Sequence, residues 1–245
     1  MEAARAKEGN IYDRDYENSR LSPTSSGRIR LSYFNLFWIF IFGSIAGLLV
    51  ETLVSTPIDG RLEDRAGLLR GLFSPIYGSG AVLMTLFLNR LWKKNVYMIF
   101  GISAIVGASF EFLVGWLLEN VFGIVAWSYN NQPFSIGGHT SLGMAIIWGI
   151  AGVLWIKLLL PWLMGLIRLI PERIAKPLTA ILTVFMIVNI SMTLLSFDCW
   201  FNRKAEIAPA NPVQEFFAEH YNDEFMEGKF QTLSIYSELT FRDKS

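Results

Sequence analysis

At 245 residues, 52% hydrophobic and only 17% charged, the chain has too little charge to cover the surface of a soluble domain of its size. Its formal net charge is zero, which removes the case for a nucleic-acid partner. Cys199 is the single cysteine, so an intrachain disulfide and a CxxC site are excluded, and the two histidines, His139 and His220, do not make a His-rich metal site.

No GxxxxGK[ST] phosphate loop occurs, so ATP hydrolysis by that route is not expected of this chain. Nothing in the sequence calls for a metal or a cofactor. The expected fold class is all-α: a polytopic membrane helix bundle of about five transmembrane helices, since runs of about 20 apolar residues recur along the chain.

Residues 1–32 are polar and mixed in charge and cannot bury enough apolar surface to order themselves. They read as a cytoplasmic arm, too long and too acidic for a signal-peptide n-region, so no cleavage is expected. The membrane domain is expected over 33–200 and a polar tail over 201–245.

The first expected span is 33–54, with Gly43, Gly47 and Glu51 four residues apart and therefore near one helix face. The second, 71–91, opens on the stretch GLLRGLFSPIYGSG at 67–80, where Arg70 meets glycine- and proline-rich backbone. Such backbone survives in a bilayer where neighbouring helices satisfy it. The third span, 95–118, repeats the four-residue stripe as Gly107, Glu111, Gly115 and Glu119. An acid inside a span is costly, so Glu111 should face protein or water.

A connector follows, with Trp127, Tyr129 and Phe134 and then Gly137-Gly138-His139-Thr140. The fourth span is 141–160, which Pro161 should kink or end, leaving 162–170 along the interface. The fifth is 176–197, with Asn189 and Ser191 as its strongly polar interior groups. An amphipathic helix is expected within 212–227.

The first helix pair resembles the second. Gly47-Leu48-Leu49-Val50-Glu51 parallels Gly115-Trp116-Leu117-Leu118-Glu119, and Gly71 and Gly138 follow at similar distances. This reads as a parallel two-helix repeat, a device transporters use to frame a site near the midplane. Lys and Arg cluster at 20–30, 90–94 and 168–176, which by the positive-inside rule places the N-terminus in the cytoplasm. Arg61, Arg65 and Arg70 weigh against that asymmetry. The expected location is the cell membrane, multi-pass, with the tail outside.

Two motifs carry a family resemblance. Gly67-Leu68-Leu69-Arg70-Gly71 and Ser74-Pro75-Ile76-Tyr77-Gly78-Ser79-Gly80 resemble an NRGFLxGPxCPIYGxG signature. Glu111, Gly115 and Glu119, then Trp127-Ser128-Tyr129-Asn130, Phe134 and Gly138, resemble an ExxxGxxxE and WDYS signature. Both are those of the CmpB-like ABC-transporter permease family of small bacterial integral membrane proteins.

The chain departs from the pattern at Arg65-Ala66, Leu72, Ser74 and Ser128, so roles resting on those positions do not carry over. The resemblance covers most of 33–230. It implies a membrane protein that works with a separate ATPase subunit. Other expected partners are the lipid bilayer and, compatibly with the sequence, a second copy of the chain.

Three functional readings stand. The first is a transporter subunit with a ligand site of Glu51, Arg70, Glu111, Glu119, Trp127, Tyr129 and His139, framed by Gly47, Gly71, Pro75, Tyr77, Gly78, Gly80, Gly115 and Gly138. The second is a non-transporting scaffold or regulator, in which the glycine faces are packing seams. The third is a membrane-embedded enzyme using the same carboxylates and His139 for acid–base work, although no recognised nucleophile–base pair is present.

Overall fold

The computed structural model describes residues 28–59, 67–236 and 240. The chain forms helices α1 (Tyr33–Asp59), α2 (Pro75–Leu88), α3 (Val96–Phe122), α4 (Leu142–Leu154), α5 (Leu160–Ile167), α6 (Glu172–Lys204), α7 (Pro212–His220) and α8 (Asp223–Lys229). Two short strands, β1 (Ile124–Val125) and β2 (Ser234–Ile235), pair antiparallel. It is an all-α membrane helix bundle, and four of its helical stretches are long and apolar enough to cross a bilayer.

The second expected span departs from a plain helix. α2 is 14 residues long, about 21 Å at 1.5 Å per residue, against about 30 Å of hydrocarbon. Ser74 donates its backbone N–H to the carbonyl of Ser44, 3.2 Å away. Ser44 lies about 17 Å along α1, so α2 begins beside the middle of α1's apolar run and the stretch before it is non-helical.

That stretch is satisfied from α6. Asn189 accepts from Arg70 N at 3.2 Å and donates to Arg70 O at 2.8 Å, while Thr193 accepts from Leu69 N at 3.1 Å. Leu68 and Leu69 are buried. Irregular backbone at membrane depth persists only where protein supplies its hydrogen bonds, and Asn189, whose amide mimics a peptide group, supplies two. Asn189→Leu should therefore strand both backbone groups of Arg70, at about 1–3 kcal/mol each. It should lower the melting temperature in detergent well beyond Ser191→Ala, whose side chain is on the exposed face.

Pro161 does not end its helix. A π-helical turn, Trp155–Leu159, sits just before it and joins α4 to α5, so the missing N–H is absorbed by a local change of register. Residues 162–167 therefore continue the apolar helical stretch that begins at Leu142. Leu163, Met164 and Ile167 join Phe37, Ile39, Leu88, Ile99 and Ile156 in the main buried cluster.

The two hairpins, α1–α2 and α3–α4, repeat each other. Gly71 and Gly138 both take φ +76°, a left-handed conformation that favours glycine. Three residues after each comes a serine at the N-cap position of the next helix, Ser74 for α2 and Ser141 for α4, of which Ser141 also caps with its side chain. In both units the glycine one turn before a glutamate accepts an aromatic ring: Tyr77 lies against Gly47 and His139 against Gly115.

The arm and the tail lie at opposite ends of the bundle. Asn89, after α2, pairs with Ile29 in both directions, and β2 of the tail pairs with β1 after α3. The helix expected within 212–227 is two helices, α7 and α8, because Asn222 caps a new start by accepting from Phe225 N at 2.9 Å. Phe217, Tyr221, Met226 and Phe230 bury against Ile124, Phe197 and Trp200.

Arg203, at the end of α6, holds the tail through Asp223 at 2.6 Å and the carbonyl of Tyr221 at 2.9 Å. Partial burial works against the charged Asp223, but the Arg203 guanidinium, with Lys204, outweighs it and holds the carboxyl below its ordinary value. A depressed carboxylate contributes stability above its unfolded value, about 3.9, and loses it as pH falls through the lower folded value. Tail protease resistance should thus weaken in acid below about pH 4. Asp223→Asn should show the weakness already at neutral pH.

Candidate functional site

α3 presents Glu111, Gly115 and Glu119 along one face, and the connector 123–141 folds back over that face. Glu111 is 7% exposed, and its two carboxylate oxygens accept one hydroxyl each, from Tyr129 at 3.0 Å and Thr140 at 2.9 Å. The indole nitrogen of Trp148, buried on α4, lies toward the same carboxylate without closing a hydrogen bond.

One turn on, glycine is required. A Cβ on Gly115 would stand 3.1 Å from Nδ1 of His139 and 3.3 Å from the Trp127 ring. His139 Nδ1 lies 3.6 Å from Oε2 of Glu119, an ion-pair distance whenever the imidazole is protonated. Trp127 donates its indole N–H to the carbonyl of His139 at 2.9 Å.

The connector is shaped to deliver these groups. Gly137 and Gly138 take φ +59° and +76°, and Tyr129 N bonds to Gly138 O at 2.9 Å. A Cβ on Gly138 would fall 2.6 Å from the Asn130 amide oxygen, so the turn has no room for another residue. Ser141 then caps α4 by accepting from Met144 N. Burial and the neighbouring Glu111 carboxylate, its hydrogen-bond partner, push the Tyr129 phenol far above its ordinary range, with Glu51 contributing at longer reach. Tyr129 is thus a hydroxyl donor at every physiological pH.

Glu51 and Trp127 face a common cavity of about 110 Å³, together with Ser74, Tyr77, Phe230 and Thr232. The structure therefore gathers Glu111, Glu119, Trp127, Tyr129 and His139 in one cluster and sets Glu51 beside it. It does not gather Arg70. That side chain is exposed and is not among the described residues that line the cavity, and its backbone is pinned to Asn189 on α6. Arg61 and Arg65 lie outside the described residues.

The motif residues Gly71, Pro75, Gly78 and Gly80 shape the break before α2 and its packing. A Cβ on Gly78 would collide with Ser44 and Phe40, and one on Gly80 would stand 3.2 Å from Trp148. Thr140 is the main residue that sequence reasoning passed over as a site member; its place directly after Gly137-Gly138-His139 was the available signal. Phe230 and Thr232 were also passed over. Only the chain reversal in the tail brings them to the cavity.

Four helical stretches long and apolar enough to cross a bilayer, packed into an almost wholly helical bundle, define a polytopic membrane protein. The chain belongs to the family described as Putative ABC-transporter type IV, which matches residues 38–194. The match runs from α1 into α6 and includes both glycine-rich signatures, while the tail lies beyond it. Comparison with curated proteins and with solved structures returned no match.

Proposed function

We propose that this chain is the membrane-embedded subunit of an ABC-type transporter and that its polar centre, Glu111 with Glu119, Tyr129, His139 and the adjacent Glu51 cavity, is where ligand binds. The observation that carries this reading is Glu111 itself. A carboxylate buried inside a spanning helix is costly and is retained mainly where it serves ligand, ion or proton traffic. The Trp127 and Tyr77 rings supply the apolar walls that small-ligand sites use around a few fixed polar groups. Energy would come from a separate ATPase subunit docking at the arm end, which is the cytoplasmic end on this reading.

The test is isolation of the full-length protein from its own membranes under mild detergent. A nucleotide-hydrolysing subunit should accompany it, and recovery of the chain without one overturns the reading. Orientation is checked separately, with Lys94→Cys and Ser234→Cys labelled in intact cells by an impermeant reagent. Only Ser234→Cys should react, and reaction at Lys94→Cys would reverse the assignment.

A second reading is favoured by one specific observation: both oxygens of Glu111 already have partners within the chain. On that reading the carboxylate is a latch that fastens the connector, and the protein is a scaffold. Glu111→Gln separates the two, because an amide can preserve the latch while removing the charge.

A further inference from the structure

A groove of about 530 Å³ runs between α3, the end of the connector and the first turn of α4. Ala104, Ala108 and Ala145 leave the hollow by their small side chains, and the polar residues of its described lining are Ser109 and Thr140. Taking the polar centre as the ligand site proposed above, we infer that the ligand is a single-chain cationic amphipath dissolved in the bilayer. Its chain lies in this groove and its ammonium head reaches Thr140 and Glu111.

Depth sets what can enter. The groove follows α3 from Ala104 to Leu113, about 13 Å at 1.5 Å per residue. About 12 Å of helix lie before it and about 13 Å after it, so it occupies the middle of a stretch long and apolar enough to cross a bilayer. Hydrocarbon, not water, stands against that depth, and Ile105 and Leu113 beside the hollow are exposed there. A second crossing helix needs a seam of about 30 Å. An alkyl chain needs only the length of the groove, which favours the chain.

Continuity joins the groove to the carboxylate. Thr140 is 3% exposed, lines the groove and donates its hydroxyl to Glu111 at 2.9 Å. Its oxygen can still accept from a head group. Phe112, also in the lining, packs edge-on against His139 with 5.5 Å between ring centroids. One layer of side chains thus separates the groove from the polar centre.

Charge selects the head. The described hydrogen-bond partners of Glu111 are hydroxyls, which satisfy its oxygens and bring no positive charge. An ionised carboxylate offers about four lone-pair sites, so donors from a ligand still fit. A primary ammonium supplies both the charge and the donors, and such charge-assisted hydrogen bonds are about twice as strong as neutral ones. An anionic head is repelled.

The experiment places the full-length protein in phosphatidylcholine nanodiscs with dodecylamine carrying a diazirine at its chain end. Irradiation should label residues within 104–113 or 136–145, read by mass spectrometry of the digested protein. Plain dodecylamine should compete for the label. Butylamine has the head without the chain, and dodecanoate the chain with an anionic head, so each should compete about tenfold more weakly or worse. Glu111→Gln, whose amide keeps the connector fastened, should weaken labelling about tenfold, and Ala108→Phe should fill the groove and abolish it. Equal competition by dodecanoate, or full labelling of Glu111→Gln, means that ordinary lipid chains fill the groove and overturns the inference. Equal competition by butylamine, or full labelling of Ala108→Phe, means that the ligand arrives from water, which overturns the route and leaves the polar centre standing as a ligand site. No label in either segment also overturns it, and a dimer that Ala108→Phe splits would then assign the groove to a second copy. The competition arms use the parent protein, so a misfolded variant does not obscure them.

Discussion

Glu111→Ala is expected to melt the connector off the bundle, with a loss on the order of 10 °C in melting temperature. The carboxylate is the acceptor for both the Tyr129 and the Thr140 hydroxyls in a site from which water is largely excluded. Removing it strands two donors, each costing about 1–3 kcal/mol. Glu119→Gln should cost far less. Its partner His139 is 3.6 Å away and its side chain is 29% exposed, the regime in which an ion pair contributes about 1 kcal/mol or less.

Glu111→Gln should melt close to the parent, because the amide oxygen accepts one hydroxyl and the amide nitrogen donates to the other. If Glu111→Ala melts like the parent, the carboxylate does not hold the connector. If Glu111→Gln melts like the parent and still supports every activity of the assembled protein, the latch reading replaces the ligand-site reading.

Gly107→Leu and Gly47→Leu should both be strongly destabilising. A Cβ on Gly107 would lie inside the Trp148 side chain where that residue leaves its own backbone, and one on Gly47 would lie inside the Tyr77 ring. Neither ring can swing away without vacating a packed interface. Overpacking of this kind costs about 1–3 kcal/mol and more where backbone must move.

Gly101 is the matched control, since a Cβ there meets nothing within 4 Å. Gly101→Leu should melt within a few degrees of the parent in detergent. Ala81 makes a poor control, because it already stands against Gly43, whose added Cβ would approach it to 2.8 Å. Equal losses at positions 47, 101 and 107 would show that the glycine faces are not seams.

Much of this architecture was legible in the chain. Apolar runs long enough to cross a bilayer mark four of the spans because a bilayer imposes length and composition directly on sequence. The four-residue recurrence of Gly107, Glu111, Gly115 and Glu119 placed two carboxylates on one face of a helix, since that periodicity is a property of the helix alone. The match of Gly47 to Glu51 with Gly115 to Glu119, and the similar distances on to Gly71 and Gly138, carried the repeat, because close helix approach and φ near +76° are local demands for glycine.

What the sequence could not decide were the contacts between segments far apart. That the second crossing is irregular to Ser74 depends on Asn189 and Thr193, more than a hundred residues away, which satisfy its backbone. The sequence shows only a polar residue in an apolar run, the same pattern an ordinary interhelical hydrogen bond would leave. Pro161 alone reads as a break, and the compensating π turn is a register change that composition does not encode.

The charge of Arg70 invited pairing with the carboxylates, but what the structure ties down is the Arg70 backbone, to Asn189, while its side chain is exposed. Thr140, Phe230 and Thr232 reach the polar centre only through chain reversals in the connector and the tail. Periodicity reports which residues share a face of one helix, while tertiary packing decides which face of which element they meet.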